Sequence, residues 1–229
     1  MAVLVLALYA EGTSDARFLP PIIQRTAENL LNLYGQRVVD ILDPIIIPTK
    51  QGLREECILA ASQDAHGCHI LVVHSDADYR TPERALRERI QPGFDRVQNS
   101  IEEVCKNLVP VIPVQMVEAW MLADPDTLRE VIGTDISSQN LGLPTRAALV
   151  ELDAHPKHTL SEAVRRANAS RSRRRPIDLS TRYERLAREI RLDRLSNVPS
   201  YKQFVKDLAK TLAQLQFIPS ETLAVIHRP

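Results

Sequence analysis

Three sets of carboxylates each follow an apolar run that reads as a β-strand: Glu11 and Asp15 after residues 3–10, Asp76 and Asp78 after residues 69–74, and Glu118 after residues 109–116. Carboxylates are hard oxygen ligands. They suit Mg²⁺ or Mn²⁺, which keep part of their water shell and take further ligands from phosphate. The chemistry to expect is therefore metal-assisted reaction at a phosphate. For side chains so far apart in sequence to share one cation, they must sit at the carboxyl ends of neighbouring strands, where open α/β sheets bind their ligands.

Each carboxylate also has a plain structural use. Gly12, one of only 7 glycines, sits directly behind Glu11 at a strand-to-helix turn and allows close approach of backbone or ligand. Asp15 can reach the same cavity from the first helical turn or cap that helix, and the two uses are compatible. Asp76 and Asp78 share a face if the segment stays extended, since alternate residues of a strand point the same way; otherwise Asp-x-Asp after a strand is a common turn. Glu118 lies among residues that read as buried, so it needs a cation or a hydrogen-bond donor, an arginine being the ordinary choice. Trp120 reads as core packing and Asp124, before Pro125, as a cap or turn residue.

The positioning elements follow from the hydrophobic pattern. Short β-rich runs alternate with helical patterns through about residue 125, the signature of an α/β fold with a mostly parallel central sheet, Rossmann-like and flanked by helices. Four strands are predicted at 3–9, 41–48, 69–74 and 109–114. Phe18, Leu19, Ile22, Ile23, Leu30, Leu31 and Tyr34 predict a helix after the first strand, with Thr13, Ser14 or Asp15 as cap. Pro20 and Pro21 should sit no deeper than its first turn. Further helices are predicted at 53–64, 94–107 and 117–122. Beyond residue 125 strand-like runs vanish and helices are expected at 145–152, 160–168, 180–190 and 201–215, giving a core of residues 1–125 and a C-terminal helical extension, 126–229.

The charge balance is 29 basic against 29 acidic residues, so nucleic acid would have to be met by a local patch rather than a general positive field. The stretch 165–176 supplies one, with Arg171, Arg173, Arg174 and Arg175 as candidate DNA contacts; the alternative is a solvated loop. No Phe, Tyr or Trp occurs from residue 121 to 182, which disfavours stacking on single-stranded bases. Cys57, Cys68 and Cys105 lack metal-ribbon spacing and read as structural thiols of a reducing compartment. The apolar start runs at once into Glu11 and reads as a buried strand, and no run approaches the roughly 20 apolar residues of a membrane span. The expected setting is the cytoplasm.

The runs Ala10-Glu11-Gly12-Thr13-Ser14-Asp15-Ala16 and His74-Ser75-Asp76-Ala77-Asp78 resemble the two hallmark motifs of the TOPRIM domain of topoisomerases, bacterial primases and OLD-type nucleases. The stretch Val117-Glu118-Ala119-Trp120-Met121-Leu122-Ala123-Asp124 resembles the Glu-x-Trp-x-Leu-Ala-Asp signature of a TOPRIM-like bacterial family, domain of unknown function 4276. With His155-Pro156-Lys157 and Ser200-Tyr201-Lys202-Gln203-Phe204, the likeness spans most of the chain. The resemblance implies Glu11 as metal ligand or general acid/base, Asp76 and Asp78 as metal ligands and Asp15 as a further ligand. It also implies an assisting basic residue, with Lys50 and Lys157 as candidates, and an ATPase partner in bacterial anti-phage defence.

The expectation is thus a Mg²⁺- or Mn²⁺-dependent TOPRIM-type endonuclease acting on DNA, with Glu11, Asp76 and Asp78 as catalytic carboxylates and Asp15 and Glu118 completing the metal set. The rival is a regulatory or docking subunit of an ATPase complex. A haloacid-dehalogenase-type phosphotransferase would make Asp76 a nucleophile, but it leaves Glu11-Gly12 unused and lacks its threonine, where Tyr79 stands. A sugar transferase lacks a nucleotide-binding segment. A homo-oligomer is compatible with all of these.

Overall fold

The computed structural model describes residues 2–169 and 176–226. The candidate DNA contacts Arg171, Arg173, Arg174 and Arg175 lie outside them. In chain order the first half runs β1 (Ala2–Leu4), β2 (Leu6–Tyr9), α1 (Asp15–Tyr34), β3 (Val39–Ile41), β4 (Ile45–Ile47), α2 (Arg54–Asp64), β5 (Ile70–His74), α3 (Glu83–Ala85), α4 (Gln91–Asn99) and β6 (Leu108–Val111). A π-helical turn, Leu86–Ile90, joins α3 to α4. Helices follow: α5 (Glu118–Met121), α6 (Pro125–Ile132), α7 (Ser138–Leu141), α8 (Pro156–Ala169), α9 (Tyr183–Glu189), α10 (Leu192–Leu195), α11 (Pro199–Gln214) and α12 (Leu223–Ile226).

The chain forms two compact units, residues 1–75, 83–112 and 203–229 in the first and residues 76–82 and 113–202 in the second. The division therefore does not fall at residue 125. The C-terminal end belongs to the first unit, where Phe217 packs edge-to-face on His69 at 5.7 Å and lies under the Arg37 guanidinium.

In the first unit the four-stranded sheet has the order β4-β2-β5-β6, and every pairing is parallel. Every residue of β2 and β5 is buried, which is why both read as unbroken apolar runs rather than alternating ones. On one face Ala7, Tyr9, Leu71 and Val73 pack with Cys57, Ile58 and Ala61 of α2 and Val97 of α4. The predicted first strand is interrupted at Val5, whose amide donates to His69 Nδ1 at 3.0 Å. Ahead of that break β1 pairs with β3 in a separate two-stranded parallel sheet. The predicted second strand is likewise divided, around Pro44, into β3 and β4.

Helix α1 buries Phe18, Leu19, Ile22, Ile23, Leu30 and Leu31 as its spacing predicts. Pro20 and Pro21, however, lie in its second turn, deeper than expected. Two interior amide hydrogen bonds are forgone there, and the buried residues on either side offset the loss. Nor does Ser14 cap the helix with its side chain. The predicted 94–107 helix stops at Asn99; the chain then extends through Ser100 and brings the Cys105 amide to the Ser62 carbonyl at 3.0 Å. The three cysteines are unlinked thiols, and burial pushes that of Cys105 up to about 11, which makes it inert.

The second unit contains α5 to α10 and, among its described residues, no strand. Trp120 is fully buried, donates from Nε1 to Ser200 Oγ at 2.7 Å and meets the Tyr201 ring edge-on at 5.3 Å. Its role as core packing is confirmed. No helix among the described residues is long and apolar enough to cross a membrane.

Candidate functional site

In chain order the four paired strands β2, β4, β5 and β6 stand 2-1-3-4 across the sheet, so the connections reverse direction between β2 and β5. Ligands of open α/β sheets bind beyond the carboxyl ends of the strands at this switch point. Glu11 lies two residues beyond β2 and Ser75 directly beyond β5, the two strands being paired from Leu6↔Ile70 to Tyr9↔Val73. Ser75 Oγ donates to Glu11 Oε1 at 2.9 Å. The Glu11 side chain is 34% exposed, which leaves it open to a ligand.

Arg54, the first residue of α2, brings a positive charge to this edge. Its Nη2 lies 3.3 Å from Glu11 Oε1 and also donates to the His74 carbonyl. Its Cζ stands 5.1 Å from the centroid of the buried Tyr9 ring, a cation–π contact. Burial pushes the Tyr9 phenol above its ordinary range, opposed by a hydrogen bond with the Lys50 backbone and by the Arg54 charge. The sequence did not single out Arg54; its candidates for an assisting basic residue were Lys50 and Lys157. Lys50 is instead ion-paired with Asp64, and Lys157 lines a 580 Å³ cavity in the second unit with Met116, Ala154, His155, His158 and Ser161. Only the sheet topology, joining residues 43 apart, brings Arg54 to Glu11.

Asp15 is buried and turns back rather than forward: its Oδ2 accepts from the Gly12 amide at 3.0 Å and lies 3.6 Å from Nδ1 of buried His74. A Cβ at Gly12 would stand 2.8 Å from that oxygen, so the glycine lets the Asp15 carboxylate lie against the turn, and a larger residue would push it aside.

In the second unit Asp76 is half-buried and its Oδ1 accepts from the Val117 amide at 3.1 Å. Asp78 is exposed and has φ 55°, so the segment does not stay extended and the shared-face argument fails at that residue. Its amide donates to the Gln115 carbonyl at 3.1 Å and the Gln115 amide returns to the Tyr79 carbonyl at 3.2 Å, Gln115 itself having φ 60°. Asp tolerates this left-handed conformation better than most residues, which is how the turn closes without glycine. Glu118 is buried in the first turn of α5.

Two further carboxylates are buried for structure. Asp124 caps α6 and receives Arg191, as its expected cap role requires. Glu151, which sequence reasoning missed, accepts from the Ser200 amide at 3.1 Å and from Ser200 Oγ; burial pushes its pKa up, the Ser200 bonds opposing.

Among the described residues no group of three or more His, Cys, Asp and Glu side chains is close enough to hold a metal ion. The Glu11 carboxylate of the first unit and the Asp76 and Asp78 carboxylates of the second are, each by itself, hard oxygen donors of the kind divalent ions take. No curated protein and no solved structure matches the chain. Residues 10–209 match a family model, a span that includes Glu11, Arg54, Asp76, Asp78, Glu118 and Ser200. The chain belongs to the family described as Domain of unknown function (DUF4276).

Proposed function

We propose that the protein is a Mg²⁺- or Mn²⁺-dependent endonuclease that cleaves phosphodiester bonds in DNA, related to TOPRIM nucleases of the OLD type. The observation that carries this reading is the switch point: Glu11 and Ser75 meet by a 2.9 Å hydrogen bond beyond β2 and β5, and Asp76 is the next residue in the chain. Glu11, Asp76 and Asp78 would hold the ion, with Asp15 and Glu118 as further acidic groups. Bound there, the metal supplies Lewis acidity to the phosphoryl oxygen and lowers the pKa of water. The chain's own residues orient. Ser75 fixes one Glu11 oxygen, the Gly12 amide fixes Asp15, and the Val117 amide fixes Asp76. We extend the reading to work beside an ATPase partner in bacterial anti-phage defence, in the cytoplasm, as the TOPRIM resemblance implies.

The test is relaxation and linearisation of supercoiled plasmid by the native protein, Glu11→Ala and Asp76→Ala with Mg²⁺ or Mn²⁺. Native cleavage at least about a hundredfold faster than either variant is expected, in line with the loss of a principal electrostatic group. Equal rates in all three, or an inert native protein, would refute the nuclease assignment. An inert protein that copurifies with an ATPase would be a docking subunit.

A further inference from the structure

Arg54 is held with one guanidinium nitrogen, Nε, lacking a hydrogen-bond partner among the described residues. The Tyr9 ring supports the group at 5.1 Å, and Nη2 makes both polar contacts, to the His74 carbonyl and to Glu11 Oε1. Nε itself is buried. The side chain is only 24% exposed, so its charge is partly shielded from water. A guanidinium is a rigid planar fork of five donors, well matched to two oxygens of a phosphate.

The position is as informative as the donors. Arg54 contacts Tyr9, the last residue of β2, and His74, the last residue of β5, the two strands that flank the switch point. Tyr9 is 1% exposed and His74 fully buried, so both supports are fixed. Glu11 is the most exposed member of the set. When its carboxylate is engaged by a divalent cation, the neighbouring guanidinium loses its counter-charge and gains from an anion in its place.

We propose that Arg54 grips a backbone phosphate of the nucleic acid, with Glu11 as its stand-in partner while the site is empty. The role rests on the reading of Glu11 as a cation ligand. It sets two effects against each other. Removing Arg54 weakens phosphate binding, yet it also removes a positive charge 3.3 Å from Glu11 and so favours cation binding there. A merely structural arginine would weaken both.

The experiment uses the full chain with Arg54→Met, which keeps a stem to pack on Tyr9, and Arg54→Lys, which keeps the charge. Mn²⁺ affinity is read by titration calorimetry, and affinity for a fluorescent DNA duplex by anisotropy, with Ca²⁺ and without metal. Arg54→Met should bind duplex about tenfold or more weakly and Mn²⁺ as tightly as native or more so. Arg54→Lys should lose about threefold on duplex, because an ammonium cannot supply the planar fork. It carries the comparison if Arg54→Met melts early. Duplex affinity of both variants within about twofold of native, or Mn²⁺ binding weakened alongside duplex binding, overturns the role. Native protein that takes up no Mn²⁺ but loses duplex affinity in Arg54→Met overturns the nuclease reading and leaves Arg54 as an anion site. Native protein that binds no duplex overturns both.

Discussion

Arg191 grips Asp124 with both edges of its guanidinium, Nε 2.9 Å from Oδ2 and Nη2 2.9 Å from Oδ1, and its own amide donates to Oδ2 at 3.1 Å. Asp124 is fully buried. Burial alone would raise its pKa, but the bonds from Arg191 and Thr127 outweigh it and hold the carboxyl at about 2. A pKa lowered on folding stabilises the fold above the unfolded value, and that stabilisation is lost as pH falls through the folded one. The contribution, about 2 kcal/mol, should therefore fade between about pH 4 and pH 2. Urea denaturation across that range is expected to show Asp124→Asn weaker than native at neutral pH and converging with it at the acid end; parallel profiles would contradict the pairing.

Ser200 links two buried polar groups, accepting from Trp120 Nε1 and donating to Glu151. Ser200→Ala removes one hydrogen bond from each in the interior of the second unit, while the backbone amide at 200 still donates to Glu151. The expected loss is about 2–3 kcal/mol in urea denaturation, more than deletion of an exposed hydroxyl would cost.

Two glycines should respond differently to alanine. At Gly93 a Cβ would lie 2.6 Å from Ile58 Cδ1 and 2.7 Å from Ile58 Cβ, inside a closed core, so Gly93→Ala should cost about 1–3 kcal/mol through overpacking of α2 against α4. At Gly12 the obstacle is the end of the Asp15 side chain, which can swing aside at the loss of one hydrogen bond, about 1 kcal/mol. Paired thermal melts rank the two, and an equal or inverted order would show Asp15 to be the more rigid neighbour.

Adding Mn²⁺ should raise the melting temperature of the native protein. A ligand bound only to the folded state at about a hundred times its dissociation constant contributes about 2.7 kcal/mol. Glu11→Gln should lose most of that increment while melting near the native temperature in chelator. A shift of equal size in both proteins places the cation elsewhere.

The sheet was legible because β2 and β5 are buried on both faces and so stand out as unbroken apolar runs. Glu11 and Asp76 could be located for the same reason, each lying two residues past a visible strand. What failed depended on contacts distant in sequence. Pro20 and Pro21 are tolerated inside α1 by what they pack against, which local helix rules do not include. The left-handed turn at Asp78 is closed by Gln115, with no glycine to mark it. Arg54 is one arginine among many until topology sets it on Tyr9, and Glu151 one glutamate until Ser200 reaches it.

Every pairing in the four-stranded sheet is parallel, and β2 joins β5 through residues 64 positions apart, as Leu6 with Ile70. Such a sheet cannot zip up from a hairpin; its central contact must wait for distant segments to be synthesised and collapse together. The edge where Ser75 meets Glu11 consequently cannot form until the chain has been made through β5. A product truncated before β5 would therefore lack both the central partner of β2 and the whole switch-point edge.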